Sequence, residues 1–256
     1  MKSMPHPAQR RPQHGFTFLE VSIVLVIVAL LTASVSYALT STMQGQSRRQ
    51  AVEHARTVQA SIRAYVLRNG RLPCPAIDAS GYENRAGQVC PPGLQLGFVP
   101  YVALGLQVPE QSLLGAYAVY RQPNSDPLLD TDLTEGRERT GDAPGDPNFT
   151  NANDLISALL QVGGGAVDPA RPFITGDADA VGAMDCTANR ISAVAYWVAL
   201  PMLDADNNGN RFDGGNAINN LCASYPMAPV SPQFDDVVIA ETPLELAGWL
   251  KSWMRP

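Results

Sequence analysis

The sequence predicts an α+β protein in which a long N-terminal helix carries a globular domain built on an antiparallel sheet. Three observations predict it. Phe16–Leu39 is almost wholly apolar and runs without a proline into Ser41–Asn69. In that second stretch Val52, Ala55, Val58, Ile62, Tyr65 and Val66 recur at three- and four-residue steps, one face of an amphipathic helix. Further on, Ala116–Arg121, Ile191–Leu200 and Val237–Glu241 are rich in Val, Ile, Tyr or Trp and read as strands.

Four segments follow from this reading: residues 1–15 as a leader, 16–39 as an apolar helix, 40–69 as its amphipathic continuation and 70–256 as the globular domain. Phe16–Asn69 would be one helix of 54 residues, closed by Asn69-Gly70 with Pro73 just beyond. At 1.5 Å per residue that is roughly 80 Å. Gly45 is the one weak spot, and a break there would leave a two-part helix. Between Gln122 and Asn153 the composition turns to Asp, Gly, Pro, Thr and Asn, a long surface loop. Asn153–Val162 reads as a short helix ending at three glycines, and Thr242-Pro243-Leu244-Glu245 as a capping box opening a helix over Pro243–Trp253.

Charge narrows the function classes. The formal net charge is −6, and without Lys2, Arg10 and Arg11 of the leader 15 basic residues face 24 acidic ones, a net of −9. An acidic body argues against nucleic acid as the main partner, because phosphate binding needs clustered Lys and Arg. Catalytic signals are also thin. His54 is the only histidine beyond the leader, on the long helix between Glu53 and Arg56, and reads as a solvated or subunit-facing side chain. No G-x-S-x-G, H-E-x-x-H, phosphate loop or dinucleotide fingerprint occurs. Tyr196, Trp197, Trp249 and Trp253 read as core rather than as a ligand platform.

The N-terminal segment allows three readings. Between Arg11 and Arg48 the only Asp, Glu, Lys or Arg is Glu20, and the uncharged run Val21–Leu39 has 19 residues, close to the roughly 20 that cross a bilayer as a helix. A plain signal anchor is one reading. A secretory signal peptide cut after Ser36-Tyr37-Ala38 is another. The third starts from Gly15-Phe16-Thr17-Phe18-Leu19-Glu20, a basic leader ending in Gly, then Phe, then a Glu that opens an apolar helix. This pattern resembles the signal of type IV prepilins. The resemblance implies cleavage between Gly15 and Phe16 by a prepilin peptidase, N-methylation of Phe16, and an assembly role for Glu20 as fifth mature residue. It also implies a pilin-like lollipop, with a transmembrane first half of the helix and a periplasmic domain. The protein would be single-pass in the inner membrane, then part of a filament in the periplasm or at the cell surface. Its partners would be other pilin or pseudopilin subunits and an inner-membrane assembly platform.

Physics favours the third reading. A carboxylate in a membrane span costs roughly 2.5–3.5 kcal/mol at mid-helix, less near the interface. A plain anchor gains nothing from it, whereas a filament subunit can pair Glu20 with the new amino group of Phe16 and so set the register of packed helices. Many major pilins carry proline at the position matching Tyr37, so its absence here argues against a major pilus subunit, and the resemblance implies a minor pilin or a type II secretion pseudopilin. Softer resemblances to prepilin-type proteins lie at Arg71–Ala76, Gly97–Tyr101 and Phe234–Val238. The competing class is a signal-anchored or secreted periplasmic binding or adhesin domain, and after it a periplasmic hydrolase.

Cys74, Cys90, Cys186 and Cys222 all lie beyond the apolar helix, where an oxidising periplasm would favour two disulfides. Three pairings exist; Cys74–Cys90 with Cys186–Cys222 is the favoured set. Zinc is the rival, disfavoured by the lack of C-x-x-C spacing and of a nearby histidine. Finally, Asp204, Asp206, Asn208 and Asn210 alternate around Gly209 like the first half of a calcium loop. The usual Glu at its twelfth position is replaced by Gly215, with Asp213 as a substitute ligand; the competing reading is an Asx-rich turn.

Overall fold

A computed structural model describes residues 18–254 except 88, 143–149, 177–185, 187–189, 205, 206, 208, 215, 217, 218, 227, 229, 232 and 233; the side chains of 35–44 and 190 are also outside the description. The chain divides into two units, Met1–Ser47 and Arg48–Pro256. The first helix, α1, is Phe18–Asn69 and stays helical through Gly45. No helix among the described residues is long and apolar enough to cross a membrane. The described side chains of its apolar run are those of residues 18–34.

The C-terminal end of α1 is set by local chemistry. Gly70 takes φ +64°, the left-handed conformation that stops a helix, and its N–H still donates to the carbonyl of Val66 at 2.8 Å. Asn69 caps the adjacent turn by donating from its side-chain amide to the carbonyl of Tyr65.

Among the described residues, seven strands and two further α-helices follow α1: β1 (Leu96–Phe98), β2 (Ala116–Val119), α2 (Ala152–Gly163), β3 (Phe173–Thr175), β4 (Arg190–Ala193), β5 (Tyr196–Leu200), β6 (Cys222–Ser224), β7 (Val237–Glu241) and α3 (Pro243–Trp253). A four-stranded antiparallel sheet has the order β1-β2-β5-β7. A second sheet has the order β4-β3-β6, with β3–β4 antiparallel and β3–β6 parallel. The α+β class with an antiparallel sheet therefore stands, and the second, mixed sheet adds to it.

The predicted strand Ile191–Leu200 divides in two. Val194 and Ala195 interrupt it, so that β4 joins the small sheet and β5 the large one. The reason is burial on both faces. Tyr196, Val198 and Leu200 of β5 point to the helices, while Trp197 and Ala199 point to the small sheet. Alternation disappears from the sequence when both faces are covered.

The helical layer buries Ala55, Val58, Ile62, Tyr65 and Val66 of α1 with Leu155, Ala158, Leu159 and Val162 of α2 and Leu246, Ala247 and Leu250 of α3. The face predicted from periodicity is thus the docking face, with Val52 only partly buried at its edge. Asn151 and Asp154 form a capping box at the start of α2, and Thr242 and Glu245 form the predicted one at α3. Of the four aromatic residues assigned to the core, Trp253 departs from the expectation: it is exposed at the end of α3.

Charge pins α1 to the large sheet. Arg63 on α1 forms a 2.7 Å ion pair with Glu241 at the end of β7, and the buried Tyr196 hydroxyl donates to the other Glu241 oxygen at 2.6 Å. The Arg63 guanidinium also lies 5.0 Å from the ring centre of Trp249 on α3. A second hub follows the helix. Glu83 accepts from Arg71, from the Tyr65 hydroxyl and from the backbone N–H of Cys74. Burial works to raise the Glu83 pKa, but these hydrogen bonds outweigh it and hold the carboxyl below its ordinary value.

The Gln122–Asn153 segment is not a plain surface loop. Asp130, Asp132, Leu133, Thr134 and Arg139 are buried in it. Asp132 pairs with Arg121 at 2.8 Å, and the fully buried Arg139 reaches the carbonyls of Asp130, Asp132, Glu135 and Arg137 as well as the Asp130 carboxylate. A polar sequence can pass through an interior when each donor finds an acceptor. Disulfides join Cys74 to Cys90 and Cys186 to Cys222. In the chain-entropy picture, loops of 16 and 36 residues contribute about 3 and about 4 kcal/mol.

Two outcomes are expected. Glu241→Ala removes the acceptor of a buried tyrosine and the partner of Arg63, and should cost about 3 kcal/mol in urea unfolding, with Glu241→Gln losing less. Glu83 has a lowered pKa, so its contribution is present above its ordinary pKa of 4.5 and lost as pH falls through the folded value. The stability gap between the protein and its Glu83→Gln variant should therefore close as pH is lowered through that range, in unfolding curves taken at successive pH values.

Candidate functional site

Two places gather the residues with a chemical case. The first is the start of α1. Glu20 lies in its first turn, where the unpaired N–H groups and the helix dipole favour a carboxylate. It is exposed, and so are its apolar neighbours Phe18, Leu19, Val21, Ile23, Val24 and Leu25; Phe18 is 90 % exposed. Exposure continues along the helix through Val26, Ile27, Val28, Leu30 and Leu31. So long an apolar surface is costly in water and marks a contact with lipid or with other apolar chains.

The few hydroxyls in this stretch support that reading. Ser22 donates to the carbonyl of Leu19, Thr32 to those of Val28 and Ala29, and Ser34 to that of Leu30. Each satisfies itself on its own helix, which is what an apolar surrounding demands. Gly15 and Phe16 lie outside the described residues.

The second place is an acidic centre beside β7. Asp213, from the loop preceding β6, meets Asp235 and Asp236, and one carboxylate oxygen of each lies within 4.8 Å of the others. Backbone bonds lock the arrangement: Asp213 N–H donates to Asp236 Oδ2 at 2.9 Å, Asp235 N–H to Asp213 Oδ2 at 2.7 Å, and Leu203 N–H to Asp235 Oδ1 at 3.2 Å. The Asn216 amide donates to Asp236 Oδ2 at 3.0 Å, and Asn216 itself accepts from Ser224 N–H on β6. Burial, which outweighs these hydrogen bonds, pushes the Asp236 carboxyl up to about 8, with the charges of Asp213 and Asp235 adding to the rise.

Of the predicted calcium loop, the structure draws Asp213 into this centre. Asp204 Oδ2 accepts from the Gly209 N–H at 3.0 Å, and Asn210 Oδ1 from the Phe212 N–H at 3.2 Å. Asp206 and Asn208 lie outside the described residues. Sequence reasoning did not mark Asp235 and Asp236 as ligands; the signal was an Asp-Asp pair directly before a hydrophobic strand, a place where charge is otherwise unhelpful. His54 also differs from expectation. It is half-buried and stacked on Tyr101, ring centres 6.1 Å apart, and burial lowers its pKa.

Against known proteins, residues 10–36 match the family model of the prokaryotic N-terminal methylation motif. No curated protein and no solved structure matches the chain. The match covers Gly15, Phe16 and Glu20 together with the apolar stretch whose side chains stand exposed on α1. The chain therefore carries the prokaryotic N-terminal methylation motif, the type IV pilin signal, and this supports a pilin-like protein.

Proposed function

We propose that the protein is a non-enzymatic structural subunit, a minor pilin or pseudopilin, of a type IV pilus or type II secretion-type filament. The methylation motif over residues 10–36 carries this reading. A prepilin peptidase cuts between Gly15 and Phe16 and methylates Phe16. The subunit then waits in the inner membrane, single-pass, with its globular domain in the periplasm. An assembly platform feeds it into a filament alongside other pilin subunits. The two disulfides fit that oxidising compartment.

The mechanism is assembly by helix packing. The apolar surface of residues 18–34 gives lateral adhesion between subunits, and it is exposed for that purpose. Adhesion alone leaves the helices free to slide, since apolar side chains are interchangeable. Glu20 supplies register: a carboxylate among apolar helices is penalised until a positive partner, the methylated amine of Phe16, reaches it.

Glu20→Ala should therefore leave leader removal intact and strongly reduce the protein in the sheared filament fraction, read by immunoblot of cells and filaments. Normal incorporation of the processed Glu20→Ala subunit would refute the role of the carboxylate.

A further inference from the structure

The acidic centre beside β7 is built like a cation site. Asp236 is only 2 % exposed. Its Oδ2 receives two hydrogen bonds, from the Asp213 N–H and the Asn216 amide. Its Oδ1 is buried and has no hydrogen-bond partner among the described residues. A buried carboxylate oxygen left bare costs on the order of 1–3 kcal/mol, more for a charged group.

Nor does an ion pair relieve it. Among the described residues Asp236 forms no salt bridge, and the guanidinium of Arg48 donates to the carbonyl of Asp235 at 2.9 Å. A carboxylate oxygen of Asp213 and one of Asp235 lie within 4.8 Å of one from Asp236. A hard divalent cation bridging such oxygens would turn mutual repulsion into attraction. A cleft of about 220 Å³, which Asp236 helps to line with Arg48, Arg56 and Phe234, adjoins the centre.

We propose that Asp213, Asp235 and Asp236 form a divalent-cation site of calcium type, in which Asp236 Oδ1 is a ligand. The ion would tie three pieces of chain together: the Asp213 loop, the Asp235–Asp236 corner and, through the Leu203 N–H on Asp235, the segment that follows β5. The other acidic group, Glu138, Asp142 and Asp154, does not match this pattern, since Asp154 is already engaged by Arg139, Thr140 and Asn151.

The test is calcium chloride titration of the full-length chelator-treated protein in detergent, by calorimetry and thermal unfolding, with magnesium chloride as comparison. One calcium per chain and a midpoint raised by several degrees are expected. Asp236→Asn keeps the side chain's shape and should weaken calcium binding at least tenfold, as should Asp235→Asn. Asp142→Asn and Asp204→Asn should leave it unchanged. Absence of calcium binding at millimolar calcium would overturn the proposal. So would an Asp236→Asn variant that binds as tightly as the parent, or loss of binding in Asp204→Asn alone. None of these readouts depends on leader cleavage or filament formation.

Discussion

The folded unit depends on one docking event, the burial of the Ala55–Val66 face of α1 against β2, β5 and the two short helices. Without it the helices would lose their shared partner, and the large sheet would expose Tyr117, Val119, Tyr196 and Val198. Apolar burial supplies most of the drive, at about 25 cal/mol per Å². It does not select a register along the helix. Arg63 and Glu241 do that, because a displaced helix would leave the buried Glu241 carboxylate without its cation, with only the Tyr196 hydroxyl still donating to it.

The same helix shows the opposite economy at its other end. Residues 18–34 present apolar side chains outward and hold their hydroxyls against their own carbonyls. A polypeptide of this kind is complete only in company, whether lipid or neighbouring helices. Glu20 is the one ionisable group in that surface, and a carboxylate in an apolar surrounding is costly. The physical division of labour is therefore along α1: one stretch fitted to associate, one stretch fitted to carry a domain.

How far the sequence could be read followed how locally each feature is encoded. The amphipathic face, Gly70 as helix stop, the Thr242–Glu245 box and the bounds of β7 depend on near neighbours, and they were legible. The strands β1, β3 and β6 have three residues each and carry no period to detect. The interruption at Val194–Ala195 was hidden because the residues on either side are equally apolar. The buried course of Asp130–Arg139 was hidden for the converse reason: its polar residues look solvated until Arg139 is seen to satisfy carbonyls along the loop. In the acidic centre Asp213 was within reach of sequence reasoning, but its partners Asp235 and Asp236 are over twenty residues away and meet it only through the fold.

The central claim is chemical: the chain is shortened at one bond and modified on the residue that follows. Mass spectrometry of the protein's N-terminal peptide, isolated from cells that process other prepilins, tests it most directly. The account predicts a first residue Phe16 bearing one added methyl group. A mature chain that begins at Leu39, or one that retains residues 1–15, would contradict it.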